Sequence, residues 1–241
     1  MPAAREPRAA PLARLRGEGR FGARFLRRHG RRLLLLFGGA LLPLWVFSRL
    51  ADGVTGPVPL AFDVPVLHWA RGWHGDGLDD AFLLLSALGY QWGVVPVDVA
   101  LVAALAWMRR MREGLFAGIA LAGSALLNLA AKQLFARDRP SLWESIAPET
   151  TYSFPSGHAM GAMSLAWVVV LLAWHTRWRW GAIVAMGAFT VAVAASRVYL
   201  GVHYPSDILA GWAAASFWVV SVYLLVFRPG NRPWQRMAPG R

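Results

Sequence analysis

Six apolar runs, each close to the length that crosses a bilayer, constrain this chain more than anything else in it. They cover residues 33–47, 92–108, 115–131, 157–173, 181–195 and 208–227. A spanning helix needs roughly 17–25 mostly apolar residues. Inside hydrocarbon every backbone N–H and C=O must be paired within the segment, so such runs fold as helices. Trp45, Trp92, Trp107, Trp174, Trp178 and Trp180 sit near the ends of these runs, where an interfacial aromatic belt belongs. The expectation is an all-α, polytopic membrane protein: a six-span bundle over residues 33–227, with no internal repeat and no second domain.

Composition agrees. Hydrophobic residues make up 56% of the 241 positions and charged residues only 16%. Soluble domains carry about 25% charged residues. The chain has no cysteine, which excludes a disulfide scaffold. Its hydrophobicity excludes disorder as the overall state. A net charge of +12 would by itself suggest nucleic acid. With this hydropathy it reads as basic loops beside a membrane, with no nucleic-acid partner.

The charge is unevenly divided. With the N-terminus placed in the cytoplasm, nineteen arginines fall on the cytoplasmic side, ten of them before Leu33. Six basic residues fall outside: Arg49, Arg71, Lys132, Arg137, Arg139 and Arg197. Nine of the thirteen acids also fall outside. The positive-inside rule then sets both termini in the cytoplasm. Residues 1–32 read as a basic, disordered arm and residues 228–241 as a basic C-terminal tail. The first apolar run reads as an uncleaved anchor despite the Arg31-Arg32 pair, because no small-x-small cleavage site follows it. The outer stretch 51–89 reads as one or two short helices on the membrane surface, with Gly89 and Gly93 allowing a bend into the second span.

Three polar clusters have no structural reason to lie beside a bilayer. The first is Lys132-Gln-Leu-Phe-Ala-Arg137-Asp138-Arg139-Pro140. The second is Pro155-Ser156-Gly157-His158, and the third runs from Ser196-Arg197 through His203 to Asp207. All three map to the outer face. Lys132, Arg139 and Arg197 can supply three cations around one phosphoryl group, arginine as a planar fork and lysine as a point charge. Lys132 is the only lysine in the chain, so general basicity does not explain it. Ser156 suits an N-cap, and a helix N-terminus beginning at Gly157 offers free N–H groups to an anion. Pro205 suits the first turn of a helix, which sets Asp207 one turn from His203. A carboxylate holding one imidazole nitrogen leaves the other free to attack. Asp138 reads as a local partner of Arg137 or Arg139. Asp98 is an intramembrane carboxylate, protonated or hydrogen-bonded between helices.

These clusters resemble the signature of the type 2 phosphatidic acid phosphatase superfamily, membrane lipid phosphatases related to vanadium haloperoxidases. That signature reads Lys-x6-Arg-Pro, then Pro-Ser-Gly-His, then Ser-Arg-x5-His-x3-Asp, and every fixed position is present here in order and spacing. The resemblance implies hydrolysis of a phosphate monoester or diphosphate on a lipid, without cofactor or metal. It implies His203 as a nucleophile forming phosphohistidine, Asp207 as its orienting partner and His158 as the acid for the leaving group. Lys132, Arg139, Ser156, Gly157 and Arg197 would bind the phosphate. Candidate substrates are phosphatidic acid, phosphatidylglycerol phosphate and a polyprenyl diphosphate, with transfer to another acceptor, or a non-catalytic lipid transporter or scaffold, as alternatives. The Arg/Ala-rich, Lys-poor composition suits a GC-rich bacterial genome and hence a bacterial plasma membrane. Oligomeric state has no signal in the sequence.

Overall fold

A computed structural model describes residues 29–56, 60–228 and 231–235. The basic arm before residue 29 and the last six residues therefore lie outside the described residues. The described residues form eight helices and no strand. They are α1 (His29–Thr55), α2 (Asp63–Arg71), α3 (Asp76–Leu88), α4 (Val94–Trp107), α5 (Met111–Phe135), α6 (Gly157–Ala173), α7 (Arg179–Tyr199) and α8 (Pro205–Val226). Within α1, residues Leu35–Leu41 wind as π-helix.

Helices α1, α5, α7 and α8 are long and apolar enough to cross a membrane. Helices α4 and α6 are apolar but shorter, at 14 and 17 residues. At about 1.5 Å per residue they extend roughly 21 and 26 Å, short of a hydrocarbon core of about 30 Å. A sharp turn at Gly93 precedes α4. At that bend a Cβ on Gly93 would lie 2.0 Å from the carbonyl oxygen of Leu88, so only glycine fits. Among the described residues, four helices are thus of spanning length, and α4 and α6 are the two shorter of the six apolar runs. Between α1 and α4, where one or two short helices were expected over residues 51–89, the structure has two, α2 and α3.

Helices α6 and α8 form the centre, packed on each other, with α5 against both, α7 against α6 and α1 against α8. The surface is inverted relative to a soluble protein. Leu126, Leu129, Leu134, Val184, Val191 and Leu225 are exposed, whereas Asp63, Lys132, Arg197, His203 and Asp207 are buried. Apolar side chains outside and charges inside is the pattern of a protein solvated by lipid.

Helix α5 shows how one face becomes a site. Buried residues recur along it every four positions: Phe116, Ala120, Ser124, Asn128 and Lys132. The spacing is that of one helix face. Along it the chemistry changes from apolar to polar. Ser124 bonds Ser164 at 2.7 Å, the Asn128 amide donates to the Pro155 carbonyl at 3.1 Å, and Lys132 reaches the loop after α5.

Candidate active site

The site lies where the C-terminal ends of α5 and α7 meet the N-terminal ends of α6 and α8. Each helix delivers its residue by a local device. Helix α5 ends at Ala136, whose φ of 42° is left-handed. That reversal sends Arg137 and Arg139 back over the bundle. Ser156 caps α6 by accepting from the Ala159 N–H, and its own N–H donates to the Asp207 carbonyl at 3.1 Å. After α7 the chain turns at Gly201, with φ 68°, beneath the indole of Trp143, 2.8 Å from where a Cβ would stand. Pro205 opens α8, and Asp207 caps it by accepting from the Tyr204 N–H at 2.9 Å.

His203 is fully buried. Its Nδ1 lies 3.3 Å from Asp207 Oδ2 and its Nε2 lies 3.2 Å from Arg139 Nη1. The network assigns the proton to Nδ1, held by the carboxylate, and the lone pair to Nε2. Burial, then the guanidiniums of Arg197 and Arg139, hold this imidazole well below its ordinary range, against the opposing charge of Glu149. It is therefore neutral at physiological pH, a state in which Nε2 has a lone pair available for attack.

The three expected cations converge. Arg139 donates to the Thr151 and Val202 carbonyls at 2.6 and 2.7 Å. Lys132 Nζ and Arg139 Nη2 share Thr151 Oγ1, at 3.2 and 3.0 Å, and both contact the Tyr152 carbonyl. Arg197 donates to Ser86 Oγ and to Glu149, while its buried Nε has no partner among the described residues. A buried unsatisfied donor costs about 1–3 kcal/mol, so this one suits a ligand oxygen.

Glu149 joins these groups, and sequence reasoning missed it. Its carboxylate pairs with Arg139 at 2.6 Å and with Arg197, and stands 3.9 Å from His158 Nδ1. Burial pushes its carboxyl up, but the cations Arg197, Arg139 and Lys132 outweigh that and hold it below its ordinary range. It stands between the two guanidiniums. Its spacing from the motifs carries no signal, so folding of the loop had to reveal it.

A cavity of about 520 Å³ opens here, lined among others by Tyr90, Asn128, Lys132, Glu149, Gly157 and His158. The His158 and Tyr90 rings lie 5.1 Å apart. Gly157 sits where a Cβ would stand 3.0 Å from Asn128 Oδ1, so its lack of a side chain serves this close packing. Ser156 is fully buried and spends its hydroxyl on the helix cap.

One expectation is corrected. Asp138 pairs with neither neighbouring arginine; its carbonyl accepts from Ser153 Oγ at 3.0 Å. Arg139 pairs with Glu149, and Arg137 pairs with Asp63 and Asp207. Asp98 Oδ1 is buried without a hydrogen-bond partner among the described residues.

Comparison with known proteins agrees with this geometry. Residues 113–230 match the family model described as PAP2 superfamily. An undecaprenyl-diphosphatase of Sulfolobus acidocaldarius is 31% identical over 192 residues, 77% of this chain and 85% of that protein. The chain belongs to the PAP2 superfamily. Phosphatidylglycerophosphatase B of Bacillus subtilis is 29% identical over 56% of this chain and 69% of that protein. The crystal structure of a transmembrane PAP2-type phosphatidylglycerolphosphate phosphatase from Bacillus subtilis superposes with a TM-score of 0.65 at 26% identity. It covers 75% of this chain and 94% of that one. The family match begins in α5, so it holds every motif residue, while α1–α4 lie outside it.

Proposed function

We propose that this PAP2 protein is a six-span lipid phosphatase that cleaves a phosphate monoester or diphosphate through a phosphohistidine. The observation that carries the reading is the buried His203–Asp207 pair, with Nε2 directed at Arg139 amid the cations Lys132, Arg139 and Arg197. The phosphoryl oxygens replace Glu149 between Arg139 and Arg197 and take up the free Nε of Arg197. His203 Nε2 attacks phosphorus, forming the P–N bond as the P–O bond to the leaving group breaks. His158 takes up a proton as the anionic phosphoryl group enters beside it, and gives that proton to the leaving oxygen. Asp207 keeps the Nδ1 proton in place and stabilises the ring as it becomes cationic. Water then attacks phosphorus, yields a proton to His158, and releases phosphate with the electron pair returning to Nε2. The three cations supply the charge stabilisation on which phosphoryl transfer chiefly depends, and no metal is required.

The lipid tails stay in the bilayer while the headgroup reaches the cavity. The names of the relatives make polyprenyl diphosphate and phosphatidylglycerol phosphate the first substrates to test. Arg109, Arg110, Arg112, Arg177 and Arg179 lie at the opposite ends of the helices from the site, which by the positive-inside rule turns the site outward from a bacterial plasma membrane. The test is phosphate release from a panel of lipid phosphates by detergent-purified protein with EDTA present. Wild type is expected to release phosphate from at least one lipid, and His203→Ala to release none. Release that requires an added acceptor lipid would point to transfer instead, and activity abolished by EDTA and restored by Mg²⁺ would remove the metal-free mechanism.

A further inference from the structure

Arg137 stands two residues from a phosphate-clamp arginine yet does not join the clamp. Its guanidinium is held between two carboxylates, Nη1 at 2.5 Å from Asp207 Oδ1 and Nη2 at 2.9 Å from Asp63 Oδ2. It lies 4.0 Å over the ring of Tyr204. Asp63 belongs to α2, outside the motif-bearing helices, and is fully buried. Its other side-chain hydrogen bonds go to the start of α8: it accepts from the Ser206 N–H at 2.9 Å and the Ser206 hydroxyl at 2.6 Å. Ser206 Oγ in turn accepts from Arg137 Nη1 at 2.8 Å. The result is a continuous line, Asp63–Arg137–Asp207–His203, running from a short helix beside the bundle to the proposed nucleophile.

We propose that Asp63 and Arg137 are positioning residues that set the charge and orientation of Asp207 behind His203. The proposal rests on the phosphohistidine reading above. Its logic is a charge count. Arg137 keeps the buried Asp207 ionised and locks one carboxylate oxygen, leaving the other for His203 Nδ1. Alone, however, Arg137 would cancel the negative charge that the imidazole needs when it becomes cationic. Asp63 restores it: the trio of two carboxylates and one guanidinium carries a net −1. Asp63 also holds the guanidinium away from the phosphate position, with its fork filled and its face against Tyr204. In this arrangement Arg137 contacts no substrate.

The count makes a prediction that a merely structural role would not. His203 is faced by Lys132 from α5, by Arg139 and Glu149 from the loop after it, by Arg197 from α7, and by Asp207 from α8. Against that constant background, Asp63→Asn takes the trio from −1 to neutral and Arg137→Gln takes it to −2. The double variant returns it to −1. Less negative charge disfavours the imidazolium, so Asp63→Asn should move the acid limb of kcat/KM to lower pH. Arg137→Gln should move it to higher pH, and the double variant should fall back near wild type. Each single variant should lower kcat by about tenfold to a hundredfold, the scale typical when the group supporting a functional histidine is altered, with KM little changed.

The experiment is a pH–rate series on detergent-purified wild type and these variants, using whichever lipid phosphate wild type hydrolyses. Wild type inactive on every lipid phosphate would remove the phosphatase reading itself. Wild type active with both single variants keeping its kcat and its acid limb would overturn the positioning pair alone. So would limbs displaced in the same direction, the mark of general damage. Should Asp63→Asn fail to fold, Asp63→Glu and Arg137→Gln decide the matter. The first is expected to keep the wild-type limb and the second to raise it, and an unmoved limb in Arg137→Gln overturns the proposal.

Discussion

The two ends of the bundle use arginine in opposite ways. At the site end, Arg137, Arg139 and Arg197 are paired with the carboxylates of Asp63, Asp207 and Glu149. At the other end the partners are carbonyls and rings. Arg32 donates to the Leu224 carbonyl at 2.8 Å, in the last turn of α8, and Arg31 donates to Tyr223 Oη at 2.9 Å. Arg110 lies over Trp234 and Arg112 over Phe227, at 5.6 and 5.1 Å. The buried carboxylate Glu113 accepts the backbone N–H of Trp234 at 2.6 Å. An arginine on helix C-terminal carbonyls and aromatic faces stabilises a helix end and fixes it at an interface. Arg139 and Arg197 share a single carboxylate, Glu149, that another anion could replace, whereas Arg137 is locked to Asp63 and Asp207.

The largest contrast is therefore expected from one substitution made at both ends. Arg197→Lys keeps the charge but loses the fork that reaches Ser86 and Glu149 together. It should lower kcat/KM by about 10²–10³, the scale of losing one donor to a developing charge. Arg32→Lys should leave kcat/KM close to wild type. Equal losses in the two variants would dissolve the distinction between the ends.

The same contrast explains what the sequence could and could not reveal. That Lys132, Arg139, Arg197, His158, His203 and Asp207 lie at one end of the bundle was legible because the spacings within each motif are short and tied to helix starts and stops. Ser156 and Pro205 mark those starts directly. Asp63, Glu149 and Ser86 were not, because each reaches the site by tertiary folding: Asp63 meets Ser206 across 143 positions and Ser86 meets Arg197 across 111. Arg137 was visible only as one of two local partners, with Arg139, for Asp138, since sequence proximity favours the adjacent acid until the left-handed Ala136 turns the chain away. The apolar runs were legible as helices. The lengths of α4 and α6 depend on where packing ends them, which periodicity does not encode.

A smaller effect concerns stability. His203 is buried and held neutral, with a folded-state value below its ordinary one near 6.5. Below that pH the unfolded chain binds a proton that the folded chain does not. Stability is therefore complete above about pH 6.5 and declines as pH falls beneath it. Glu149, held below its ordinary range, loses its contribution only as pH falls under about 4.3. Between pH 7 and 5 the decline thus belongs to histidine. Thermal unfolding in detergent should show wild type losing more over this interval than His203→Gln. Identical losses would mean that the imidazole is accessible to protons in the folded state, and the buried nucleophile would have to be redrawn.

The smallest effect tests the far end by itself. Arg112 donates to Asn231 Oδ1 at 2.5 Å and lies over Phe227, while its Nη2 is buried without a partner among the described residues. Its attractive contacts are those of a partly exposed cation on an amide and a ring, worth about 0.5–1 kcal/mol. The unpaired nitrogen costs a comparable amount. Arg112→Ala should accordingly shift stability by no more than about 1 kcal/mol, read by denaturant or thermal unfolding, and leave kcat and KM unchanged. Helix α5 carries both Arg112 and Lys132, twenty residues apart along one rigid rod. If the alanine variant lost turnover while keeping its stability, that rod would be transmitting a change from the arginine end to the phosphate site. The two ends would then be one coupled system rather than an anchor and a catalyst.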